Sequence, residues 1–142
     1  MIYMHPFFQA LMFVLALYAL FLAVPRFLAL HTGRVKAFSR KRHALAGGAA
    51  FAGALSGMLG GGVMTRLLDL EPYVGGNHEN LAGIMAALMI LGMASGLYLY
   101  FKPRKRKALP AAHGLINLFI LFLFLFQAYT GLGILNRISQ GG

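Results

Sequence analysis

The sequence predicts an all-α fold: a membrane four-helix up-and-down bundle, one transmembrane domain over residues 1–142. Three observations lead there. The chain is 59% hydrophobic and its mean hydropathy is +0.71, too apolar for a small soluble domain. Its apolar residues gather into four runs, about 4–25, 43–64, 78–101 and 111–135, and a bilayer core takes about 20 such residues per helix. A histidine stands at or near the head of each run: His5, His43, His78 and His113, at intervals of 38, 35 and 35 residues.

The first run is too long for a signal-peptide core and lacks a basic leader. Pro6 suits the first turn of a helix, where its missing N–H is not needed, so His5 sits at the entrance. Pro25 and Arg26 are expected to weaken or end the span. A basic loop follows with Arg26, Arg34, Lys36, Arg40, Lys41 and Arg42 and no acid. His31 lies in it and is expected to face solvent or lipid headgroups. The second run is rich in Gly and Ala, and Gly53 and Gly57 form a GxxxG pair that lets a neighbouring helix or a flat cofactor approach the backbone.

The second loop holds Arg66, Asp69 and Glu71, then Gly75-Gly76-Asn77, read as a turn ending in an Asn N-cap. After the third run, Lys102, Arg104, Lys105, Arg106 and Lys107 form another basic loop. Pro110 opens the fourth run, and a short tail carries Arg137. The formal charge of +10 is thus concentrated in two loops. It reads as a topology signal, with attraction to anionic lipid as an addition, rather than as a nucleic-acid surface. The positive-inside rule puts both basic loops in the cytoplasm of a bacterial inner (plasma) membrane and both termini outside. There are no cysteines, which excludes disulfides, thiolate metal sites and c-type haem attachment.

Ionisable side chains are rare in membrane spans and usually mark function. Spans one and three start outside and spans two and four inside, so His5 and His78 share one level and His43 and His113 the other. In an up-and-down bundle each of these pairs faces across a diagonal of about 14 Å, wide enough for histidine, haem iron and histidine. The repeat continues along the helices. Eighteen residues after His43, His78 and His113 stand Gly61, Gly96 and Gly131, with Ala23 after His5; fourteen residues after them stand Gly57, Gly92, Gln127 and Ala19. Eighteen residues are five turns, about 27 Å, so these small residues return to the histidine's face at the opposite level.

The reading is two b haems: His5 and His78 as axial ligands of an outer haem, His43 and His113 of a cytoplasmic one. Gly57, Gly61, Gly92, Gly96, Gly131 and Gln127 border the macrocycles, and Arg42 is a candidate for a propionate. Arg40 and Lys41 inside and Arg66 and Arg137 outside are further propionate candidates, and Gln9, Asn77, Asn80 and Gln127 are candidate second partners near the outer haem. The plainer alternatives are cross-helix hydrogen bonding by the histidines and ordinary glycine packing, the latter weighing equally for the GxxxG pair. The stretch Phe119, Phe122, Phe124, Phe126 reads as packing and lipid contact.

Met4-His5-Pro6, Arg42-His43 with Gly47, His78 with Gly83, Ala112-His113, and Gln127-Ala128-Tyr129-Thr130-Gly131 together carry a resemblance. They resemble a family of small four-helix bacterial membrane proteins of unassigned function, related in layout to the cytochrome b561 superfamily. The 47–62 stretch is denser in glycine than that pattern. The resemblance implies b haem on paired histidines and electron transfer across the membrane. Expected partners are membrane lipid and a redox protein or a larger respiratory or photosynthetic complex, with a quinone at one level as an option. The alternatives are a stand-alone quinone-linked oxidoreductase acting on superoxide or a ferric species, and a non-redox membrane scaffold subunit.

Overall fold

A computed structural model describes residues 2–33, 37–74, 76–104 and 106–140. Arg34, Lys36, Gly75 and Lys105, assigned above to loops, lie outside the described residues, as does the side chain of His31. The described chain is helical: α1 (Met4–Thr32), α2 (Arg40–Leu67), a single turn α3 (Glu71–Val74), α4 (Asn77–Phe101) and α5 (Ala108–Gln140). The four long helices are each long and apolar enough to cross a membrane.

They differ from the expected spans at the ends. Pro25 does not stop α1, which runs on to Thr32 and closes on Gly33 at φ 68, a left-handed position that a glycine takes without strain. A proline removes one hydrogen bond, but the turns beyond it keep theirs, and Thr32 Oγ1 bonds back to Leu28 O at 2.7 Å. His31 therefore belongs to a helix rather than to a loop. Pro110 does fall in the first turn of α5, where no N–H is needed. Asn77 is not the N-cap of α4. Gly76 is, at φ 91, and Asn77 is the first helical residue. The short α3 interrupts what reads in the sequence as a plain loop; it packs on α5 and α2, with Leu70 buried just before it.

The helices alternate in direction. α1 packs most extensively on α2, and α4 on α5; α2 with α4 and α1 with α5 close the square. α1 with α4 and α2 with α5 hardly touch, so these are the diagonals. Between them, Ala50, Ala54, Met85, Met89 and Ile120 are completely buried, and Ala16, Phe51, Leu121 and Phe124 extend that core. The outside is apolar as well: Phe7, Leu59 and Tyr129 are 74%, 75% and 73% exposed. Helices apolar on every side are stable where the surroundings are also apolar, as in a bilayer.

The terminal end of the bundle carries the start of α1, the end of α2, the start of α4 and the end of α5. The opposite, basic end carries the two cation-rich connections. There Arg40 lies over the Tyr100 ring at 5.4 Å and Arg106 over Tyr98 at 5.0 Å.

Candidate functional site

His5 and His78 stand at the terminal end and His43 and His113 at the basic end, each within the first turns of its helix and half-buried. The His43 and His113 rings meet across the α2–α5 diagonal with centroids 6.2 Å apart and planes at 81°. His5 and His78 stand at the other end, on the two helices of the α1–α4 diagonal. Among the described residues no three of His, Cys, Asp or Glu come together; the histidines come in twos.

What orients each ring is on the other helix of its own hairpin. His5 Nδ1–H donates to Gly57 O at 3.0 Å, and His43 Nδ1–H to Ala19 O at 2.9 Å. A carbonyl can only accept, so both rings carry a proton on Nδ1; in the neutral imidazole that makes Nε2 the nitrogen with the lone pair. In the second hairpin a hydroxyl stands between. Ser95 Oγ donates to Gly92 O at 2.9 Å and lies 2.9 Å from His113 Nδ1. Thr130 Oγ1 donates to Gln127 O at 3.0 Å and lies 2.8 Å from His78 Nδ1. Each hydroxyl has one hydrogen, committed to the carbonyl, so it accepts from the imidazole and the tautomer is again Nδ1–H. Asn117 Nδ2 is 3.1 Å from His113 Nδ1 and 3.3 Å from Nε2, so it lies over the ring and not along either lone pair; its own acceptor is His113 O at 2.6 Å.

All four anchors end on a carbonyl fourteen residues after a histidine: Ala19, Gly57, Gly92 or Gln127. Such a carbonyl already accepts the helical N–H of the residue four further on, but has a second lone pair. The side chain at that further residue decides whether anything reaches it. This explains the small residues at eighteen. A Cβ on Gly61 would come within 2.7 Å of the His5 ring, one on Gly96 within 3.1 Å of His113, and one on Gly131 within 3.3 Å of His78. The space these glycines leave is filled by imidazole. Gly57 instead receives Gln9 and Phe8, Gly53 receives Met12, and Gly92 receives Asn117 and Phe51. The GxxxG pair is thus a helix-packing seam between α1 and α2.

The expected second partners divide. Gln127 Nε2 donates to His78 O at 3.0 Å and Gln9 Nε2 to Ala54 O at 3.0 Å. Asn77, Thr130 and Arg137 line an open pocket of about 390 Å³ beside His78. Asn80, Arg42, Lys41 and Arg66 are exposed, and Arg40 is engaged on Tyr100. Ser95 and Asn117 are not among the residues the sequence singles out; Ala19, Gly57, Gly92 and Gln127 are, but not for their carbonyls. A signal exists for two of these anchors: a hydroxyl directly before the +18 glycine, as Ser95-Gly96 and Thr130-Gly131.

No family model, no curated protein and no solved structure matches this chain. The site therefore stands on its own geometry. Two imidazoles bound end-on to one metal at about 2.0–2.1 Å hold their centroids about 6.3–6.5 Å apart, given a ring radius of about 1.15 Å. The 6.2 Å between His43 and His113 is close to that separation. Two imidazoles anchored through Nδ1 are a donor set that a six-coordinate iron could take up through Nε2, with Asn117 Nδ2 lying 3.3 Å from that atom at His113. The terminal end adds two orphans: Gln9 Oε1 and Gln127 Oε1 are buried with no donor among the described residues. Their amide nitrogens face carbonyls, so neither group can be flipped to remove the deficit. Gln9 reaches to α2 and Gln127 to α4, each about one helical turn along its own helix from Phe13 or Phe124, whose ring centroids are 5.5 Å apart. A buried acceptor left without a donor is costly, and a bound molecule carrying a hydroxyl or acid proton would satisfy it.

Proposed function

We propose that the chain is a b-type cytochrome with two haem sites that carries electrons across a membrane. The observation that carries this reading is two histidines at each end with every Nδ1 anchored, His43 and His113 meeting across their diagonal with centroids 6.2 Å apart. His5 and His78 would hold one group at the terminal end, and His43 and His113 the other at the basic end. Haem bound there supplies a one-electron iron couple at each level. The chain's own residues do the rest. Two histidines on one iron would leave it no open position, which favours electron transfer over oxygen activation. The core between the levels, from Met85 to Ile120, excludes water. Arg137 lines the pocket beside His78 and would be the cation offered to a propionate there.

The cation-rich end faces the cytoplasm by the positive-inside rule, and both termini face outward. A bacterial inner membrane suits that arrangement, and the resemblance to small b561-like membrane proteins points the same way. The partner this reading calls for is a redox protein or a larger electron-transfer complex. The unpartnered oxygens of Gln9 and Gln127 favour a second reading, in which a quinol docks at the terminal end and the chain acts as a quinone-linked oxidoreductase.

The test is an absorption spectrum of the purified protein with haem quantification, followed by redox titration of four variants. Two haems per chain are expected. His5→Ala and His78→Ala should delete one redox component, His43→Ala and His113→Ala the other. A folded protein without haem overturns the reading, and loss of the same component from His5→Ala and His43→Ala overturns the pairing.

A further inference from the structure

We propose that Ser95 and Thr130 are positioning residues that set the strength and the ring plane of one histidine ligand at each level. This rests on the reading of the histidines as haem ligands. The two hairpins anchor their histidines differently. In α1–α2 the imidazoles bond directly to backbone carbonyls. In α4–α5 a side-chain hydroxyl intervenes, so the chain of bonds runs from Nδ1–H to Oγ to a carbonyl. Each diagonal therefore joins one directly anchored ring, His5 or His43, to one relayed ring, His78 or His113. At His5 and His43 the acceptor is main chain, which no single substitution removes. At His78 and His113 it is a side chain, and that makes each level adjustable through one residue.

An acceptor on Nδ1–H pushes electron density into the imidazole and makes Nε2 a stronger donor, which favours the oxidised metal. A hydroxyl that itself donates to a carbonyl accepts more strongly than an isolated one. The hydroxyl also fixes rotation. His113 is held edge-on to His43 at 81°, and Ser95 Oγ at 2.9 Å is the in-line partner of its Nδ1. The contribution is local, because Ser95 lies on α4 at the basic end and Thr130 on α5 at the terminal end.

The experiment uses the full-length protein in detergent with its haem. Thr130→Val keeps the shape and removes the acceptor; Ser95→Ala does the same at the other end. Thr130→Val should raise the potential of the component that His5→Ala and His78→Ala delete, and leave the other in place. Ser95→Ala should raise only the component that His43→Ala and His113→Ala delete. It should also move the largest g-value of that component's low-spin electron paramagnetic resonance signal, since the ring plane is freed. Thr130→Ser and Ser95→Thr should restore the original values. Unchanged potentials, equal shifts of both components, or failure of the hydroxyl-bearing variants to restore them overturn the proposal. A parent protein that folds without haem overturns the haem reading itself. In that protein, nitrogen resonances of labelled histidine still test the anchors: Nδ1 protonation of His78 should be lost or averaged in Thr130→Val, and if it is unchanged the hydroxyl is not what holds the ring.

Discussion

At the scale of single residues, adjacent glycines do different work. A methyl group added at Gly60 would meet nothing within 4 Å, whereas one added at Gly61 would lie 2.7 Å from the His5 ring. Gly60→Ala should be neutral or stabilising by up to about 1 kcal/mol, the helix-propensity gain. Gly61→Ala should cost about 1–3 kcal/mol through overpacking and should displace His5. Unfolding in mixed micelles measures both. Equal effects of the two substitutions would show that the register at eighteen residues has no bearing on the histidine. Gly96 and Gly131 face His113 and His78 more loosely, at 3.1 and 3.3 Å, so their Ala variants should be milder than Gly61→Ala.

At the scale of elements, the molecule is two hairpins, α1–α2 and α4–α5, each fastening both of its histidines to itself. What joins the hairpins is the apolar layer around Met85, Met89, Ala50, Ala54 and Ile120. Met85 is completely buried there. Met85→Ala should destabilise the bundle by about 2–5 kcal/mol by opening a cavity, while the four histidine anchors stay intact. Unfolding measures the first part, and the spectrum of the folded fraction checks the second. A change within about 0.5 kcal/mol, the range of surface substitutions, would mean the hairpins are not held by this layer. The hairpin ends show where local sequence signals fail. Pro25 signals a stop that α1 does not make, because the flanking turns retain their own hydrogen bonds and apolar surroundings favour keeping backbone groups paired.

At the scale of the whole molecule, the two ends differ in charge, and that difference should set orientation. The chain has no cysteine, so single cysteines give a clean readout. Ser139→Cys, exposed at the terminal end, should react with an impermeant maleimide on intact cells. Lys107→Cys, exposed at the basic end, should react only after the cells are opened. The opposite pattern would reverse the topology.

Apolar run lengths and histidine spacing alone determined the number of long helices, their alternation and the two levels. These features follow from one-dimensional periodicity: a bilayer sets the length, and five turns bring a residue back to the same face. The glycine register was legible too, but its meaning was not. Sequence spacing places Gly61 on a face at a depth; it does not say whether a cofactor or an imidazole fills the gap. Only the packing of α1 on α2 and of α4 on α5 brings His5 to Gly57 O, His43 to Ala19 O, His78 to Thr130 and His113 to Ser95. Those partners are 52, 24, 52 and 18 residues away along the chain. Two of the four acceptors are backbone carbonyls; the register at fourteen residues marks Ala19 and Gly57, but not that a carbonyl there takes a bond from a histidine of the neighbouring helix. Each helical carbonyl keeps a second lone pair, but which donor meets it is decided by what the neighbouring helix presents, and that is a property of the tertiary structure.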